Sequence, residues 1–125
     1  MDYRVSKAWH HSHSLAVEVH ELVREVVPTD VVANELAVNM RRSSAAAPTH
    51  IKASTQKELM RERLECYLAA RQSLEEIHGY LKHALSLNYL EKKLFKKLEK
   101  LAIKAYRELG SVVDSTERSL ARMTE

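Results

Sequence analysis

The sequence predicts an all-α protein, an up-and-down antiparallel four-helix bundle, and three observations carry that expectation. Glycine and proline number only 2 each in 125 residues, whereas sandwiches and barrels need turn residues about every 8–12 positions. Aromatic residues are 6% of the chain, so a core has to be assembled from Leu, Val, Ala and Ile. Apolar side chains recur at three- and four-residue spacing in four successive segments, the period of an amphipathic helix. Hydrophobic residues at 45% against charged residues at 30% mark a folded rather than a disordered chain. The length suits one domain over residues 1–125.

The first helix is expected over residues 6–27, capped by Ser6 and ended by Pro28. Its apolar stripe collects Ala8, Trp9, Leu15, Ala16, Val19, Leu22, Val23, Val26 and Val27, opposite His10, Ser14, Glu21 and Glu25. A second helix, residues 30–47, is capped by Thr29 or Asp30 and buries Val32, Leu36, Met40, Ser43 and Ala47. Pro48 lacks the N–H that an interior helical position donates, so the helix ends or kinks there. Thr55 with Glu58 three residues later reads as a capping box opening a third helix, residues 55–87. Its stripe is Tyr67, Ala70, Leu74, Ile77, Leu81 and Ala84, closed by a left-handed Asn88. The fourth, residues 90–118, buries Leu94, Leu98, Leu101, Ala105, Leu109 and Val112, widened by Phe95, Ala102 and Tyr106, and frays after Asp114. Short connections make these helices antiparallel neighbours.

No arrangement of residues supports catalysis, and no cofactor or metal is expected. Glu75 and His78 have the ExxH spacing of di-iron bundles, but there is no second ExxH. A structural histidine is the preferred reading. His10, His11 and His13 point in different directions on a helix and read as surface residues, with His13 and His20 sharing a face with Arg24. Cys66 is expected to be a small buried hydrophobe. A single cysteine cannot form an internal disulfide, and no stretch has the basic-then-apolar pattern of a signal peptide. No apolar run approaches the roughly 18 residues of a membrane span. A soluble, cytoplasmic protein is expected.

Charge is more informative. Lys+Arg 20 against Asp+Glu 17 is only mildly basic, but the excess is concentrated. Lys92, Lys93, Lys96, Lys97, Lys100, Lys104 and Arg107 project opposite the leucine stripe of the fourth helix, with Glu99 and Glu108 at the margins. Solvated faces normally mix signs at i, i+4, whereas phosphate backbones bind a row of one sign. The alternative is an ordinary lysine-rich outer face. On the second helix, Val31, Val38 and Ala45 recur every seven residues, turned away from its core stripe and beside Arg41 and Arg42. Such a row predicts contact with another copy of the chain.

The segment Met40-Arg41-Arg42-Ser43-Ser44-Ala45-Ala46-Ala47-Pro48-Thr49-His50-Ile51 resembles the signature of bacterial four-helix-bundle proteins. These were first noticed as reading frames in intervening sequences of large-subunit rRNA genes. A Trp-x-x-Ser opening at Trp9–Ser12, the helix-ending Pro28, the stretch Ala70-Arg71-Gln72-Ser73-Leu74-Glu75-Glu76 and the turn Leu87-Asn88-Tyr89-Leu90 follow in the family's order. The resemblance covers roughly residues 3–118. After the proline the family's usual acid and glycine are missing from His50-Ile51-Lys52-Ala53-Ser54, and the charge there is positive. The resemblance implies a homopentameric ring. It also implies similarity to the accessory variability proteins of diversity-generating retroelements, which bind nucleic acid and a reverse transcriptase. The expected function is thus that of a non-enzymatic, oligomeric accessory protein. It would bind RNA or DNA through the basic helix-four face with Arg41 and Arg42. The competing expectation is a scaffold that binds a partner enzyme such as a reverse transcriptase without touching nucleic acid.

Overall fold

A carboxylate opens the first helix earlier than the Ser6 cap predicts. In the computed structural model, which describes residues 2–25 and 30–124, α1 spans Tyr3–Glu25. Asp2 Oδ1 accepts the backbone N–H of Arg4 at 2.7 Å, and Ser6 N–H bonds to the Asp2 carbonyl, so Ser6 already lies inside the helix. The Arg4 guanidinium turns back onto Asp2 at 2.9 Å and also donates to the Ser111 carbonyl and the Ser115 hydroxyl near the far end of the chain. That ion pair, through its hydrogen bond above all, holds the Asp2 carboxyl below the usual carboxylate range.

The buried line of α1 is Val5, Ala8, Ser12, Leu15 and Val19. It is centred on Ser12, so Trp9 and Ala16 of the expected stripe sit at its half-buried edge. Val26, Val27, Pro28 and Thr29 lie outside the described residues. α2 spans Val31–Ser54, and of the two candidate caps Asp30 acts: its Oδ1 accepts the Ala33 N–H at 2.8 Å. Ala33 takes the core position expected of Val32, which is 53% exposed.

Of the two outcomes expected at Pro48, an end or a kink, the end does not occur, and α2 runs on through the proline to Ser54. Ala47 and Ile51, on either side of the proline, are both fully buried, and only a continuing helix puts both on one face. Pro48 leaves the Ser44 carbonyl without its helical N–H, while side chains add bonds nearby: Ser44 Oγ donates to the Arg41 carbonyl and Thr49 Oγ1 to that of Ala45. The capping box is overturned too. Thr55 ends α2, with its hydroxyl donating to the Lys52 carbonyl, and α3 begins later, at Met60, without a side-chain cap on Leu59.

α3 spans Met60–Ser86 and buries all six stripe residues together with Ser73. Asn88 has φ 62°, the left-handed closure expected of it. α4 spans Lys92–Met123. Leu94 and Leu101 are only half-buried, because Phe95, Ala102 and Val113 take the centre of the buried face. The expected fraying after Asp114 is absent: Val112 and Val113 are buried, Arg4 grips Ser111 and Ser115, and Thr116 Oγ1 bonds back to the Val112 carbonyl. Cys66 is half-buried rather than enclosed, since the neighbouring Tyr67 occupies the inward position.

α1 and α3 each pack against both α2 and α4. Early residues of α1 meet late residues of α4 (Arg4 with Ser115, Glu18 with Lys97), and His78 of α3 meets Glu99 while Glu75 meets Tyr106. Neighbours are therefore antiparallel, and α2 stands diagonally across from α4. Ser12, Ser43, Ser44, Ser54 and Ser73 lie in the core and each hydroxyl donates to a carbonyl three or four residues earlier. Buried hydroxyls satisfied this way carry little cost and leave room for close helix approach.

Leu98 is fully enclosed, so Leu98→Ala is expected to lower stability by about 2–5 kcal/mol in urea unfolding. The lowered Asp2 carboxyl works in acid. Its stabilising contribution is present above the ordinary carboxylate value of 3.8 and is lost as pH falls through the lower folded value. Melting curves of the wild type and Asp2→Asn are expected to differ at neutral pH and to converge in strong acid.

Candidate nucleic-acid interface

The rotation of α4 about its own axis decides what its outer face presents. Leu98, Ala102, Ala105, Leu109 and Val112 must face the core, and at about 100° per residue the opposite arc then faces solvent. Lys92, Lys93, Lys96, Lys97, Lys100, Lys104 and Arg107 all lie there and all are exposed. From Lys92 to Arg107 the row runs about 22 Å along the helix. One of the seven is engaged: Lys97 Nζ donates to Glu18 of α1 at 3.0 Å. Among the described residues the other six make no ion pair.

The two marginal acids have partners on the neighbouring helices. Glu108 accepts from His11 Nδ1 at 2.6 Å, with Lys7 at 3.9 Å from its other oxygen. Glu99 accepts from His78 Nε2 at 2.7 Å. Glu75 accepts the Tyr106 hydroxyl at 2.9 Å, and that hydrogen bond, with burial, pushes the phenol up from its ordinary value. Glu75 and His78 thus serve two different partners on α4. The histidines of α1 also separate: His11 reaches α4, while His13 stacks on Trp9 with centroids 4.7 Å apart and His10 meets the same ring edge-on. Among the described residues no three His, Cys, Asp or Glu side chains converge as metal ligands.

Arg41 and Arg42 are exposed, with Arg42 donating to Asn39 Oδ1. They lie on α2, diagonally opposite α4, so one copy of the chain does not bring them onto the lysine face. Val31 and Val38 on the same helix are 71% and 43% exposed, and Ala45 is exposed as well. Ala45 lies at a groove between α1 and α2 lined by Trp9, His13, Ala16, Pro48, Thr49 and Lys52. Sequence spacing located the lysine row and the valine line. It missed the histidine partners of Glu99 and Glu108, whose only trace was that each of those residues falls at the edge of an apolar stripe.

The molecule is an antiparallel four-helix bundle with one strongly basic outer helix face. Residues 4–111 match the family described as 23S rRNA-intervening sequence protein, and the chain belongs to that family. It is also similar to a crystal structure of a Bacteroides thetaiotaomicron protein of unknown function from the S23 ribosomal protein family. The TM-score is 0.80 at 14% identity, over 89% of this chain and 98% of that one. A likeness at that identity concerns the fold. Among curated proteins none matches. No helix among the described residues is long and apolar enough to cross a membrane.

Proposed function

We propose that this protein is a non-enzymatic, oligomeric accessory protein that binds RNA or DNA through the exposed face of α4. One observation carries the reading: seven basic side chains share that face, and the nearby acids are turned into the seams on either side. Such a row neutralises phosphates and releases their counterions. It offers no groove-entering element that reads base edges, so binding is indifferent to sequence. Self-association through the exposed Val31–Val38–Ala45 line of α2, in a ring as the family resemblance implies, repeats the basic face and raises affinity by multivalency.

Reversing Lys96, Lys100 and Lys104 to Glu changes only exposed positions, so the triple variant is expected to melt near the wild-type temperature. Titration against labelled RNA and DNA at low and high salt is expected to give wild-type binding that weakens as salt rises, and none in the variant. Equal binding by the folded variant moves the site to Arg41, Arg42 and Lys52. A wild type that binds neither nucleic acid at low salt favours the enzyme-binding scaffold instead. For assembly, Val38→Glu places a charge in the contact between copies, where leaving it unpaired costs several kcal/mol. Light scattering is expected to show a reduced mass for Val38→Glu; a monomeric wild type, or an unchanged mass, rejects that interface.

A further inference from the structure

α4 carries two acids close enough to neutralise its own lysines, and neither does so. Glu99 is three residues from Lys96, and Glu108 is four residues from Lys104, the separations at which opposite charges on a helix meet. Nine residues separate the two acids, which sets them about 180° apart around the helix with the basic arc between them. Each is drawn to a seam instead. Glu99 Oε2 accepts from His78 on α3 at 2.7 Å, and Glu108 Oε1 accepts from His11 on α1 at 2.6 Å. Both carboxylates are largely covered, with side-chain exposures of 29% and 16%. A ring N–H donates to the carboxylate whether the imidazole is neutral or charged, so each bond persists in either state.

Resting on the anion-binding reading above, we propose that His11 and His78 are positioning residues for a polyphosphate backbone. They hold Glu108 and Glu99 in the seams and so keep Lys104 and Lys96 free for phosphates. Without the imidazoles, Glu99 turns outward onto Lys96, and Glu108, left with only Lys7 at 3.9 Å on its own seam, turns onto Lys104. Two phosphate contacts are then lost, although no basic residue has changed. The two histidines come from different helices, on opposite sides of α4, and each meets the acid at its own margin. Neither ExxH chemistry nor the histidine tract accounts for that arrangement.

The test uses a labelled short RNA duplex and measures affinity over a salt series. Each lost phosphate contact lowers the slope of log K against log salt by about 0.7–0.9. His11→Ala/His78→Ala is expected to bind more weakly, with a slope flatter by about 1.4–1.8. Adding Glu99→Gln and Glu108→Gln to that variant is expected to restore the wild-type slope, because no carboxylate remains to occupy the lysines. A histidine that only joined helices would not be rescued in this way. Unchanged slope in the double histidine variant, or failure of the rescue in a protein that melts normally, overturns the proposal while wild-type binding leaves the parent reading standing. Absence of wild-type binding removes both. Should the alanine variants not fold, Glu99→Gln/Glu108→Gln with both histidines intact decides it: the slope is expected to stay at the wild-type value, and a steeper slope shows that the acids already occupy lysines.

Discussion

Burial of the apolar line of α4 is the constraint on which the rest of the molecule depends. Leu98, Ala105 and Leu109 are fully enclosed, with Ala102 and Val112 nearly so. That line fixes the rotation of α4 between α1 and α3. Because a helix turns about 100° per residue, fixing one side fixes the other. The basic row is thereby held outward on a rigid support, and the lysines need no contacts of their own to stay aligned. The hydrophobic effect thus sets the geometry of an electrostatic surface.

Polar contacts divide between two jobs. Inside, five serine hydroxyls bond to carbonyls of their own helices, which satisfies them without demanding a partner across the core. At the seams, His11 with Glu108, Glu18 with Lys97, His78 with Glu99 and Tyr106 with Glu75 link neighbouring helices. Surface pairs of this kind, exposed or half-buried, add little stability singly. Their larger consequence is where they leave charge: acids are drawn into the seams around α4, and its outer face from Lys92 to Arg107 remains positive.

The family match covers residues 4–111, whereas α4 continues to Met123. Where the match ends, Arg4 grips Ser111 and Ser115, and Thr116 Oγ1 bonds back to the Val112 carbonyl. At the opposite extreme of sequence likeness, the Bacteroides thetaiotaomicron structure shares the fold at 14% identity. Period and helix order survive such divergence because they constrain residue class rather than residue identity. Surface charge is under no such constraint from the fold, so a functional reading has to be argued from this chain's own lysines.

Much was legible without a structure. Periodicity placed the six-residue stripe of α3 and the outward lysines of α4, and the αL tendency of Asn placed the turn at Asn88, because each of these is a local property of consecutive residues. The failures were equally physical. Pro48 reads as an end or a kink on local grounds, yet the helix does not end there, because burial of Ile51 beyond it outweighs one lost hydrogen bond. Thr55 and Glu58 have the spacing of a capping box, yet the Thr55 hydroxyl is taken by the Lys52 carbonyl. Ser6 could cap a helix, but Asp2 does so one turn earlier. By itself, then, the sequence determined the four amphipathic helices and which side of each is apolar. Only the tertiary structure decided how far each helix runs, that Arg41 and Arg42 stand diagonally opposite the lysine face, and that Glu99 and Glu108 turn away from it. Those outcomes depend on partners distant in the chain, and no spacing along one helix encodes which side chain of another will lie across the seam.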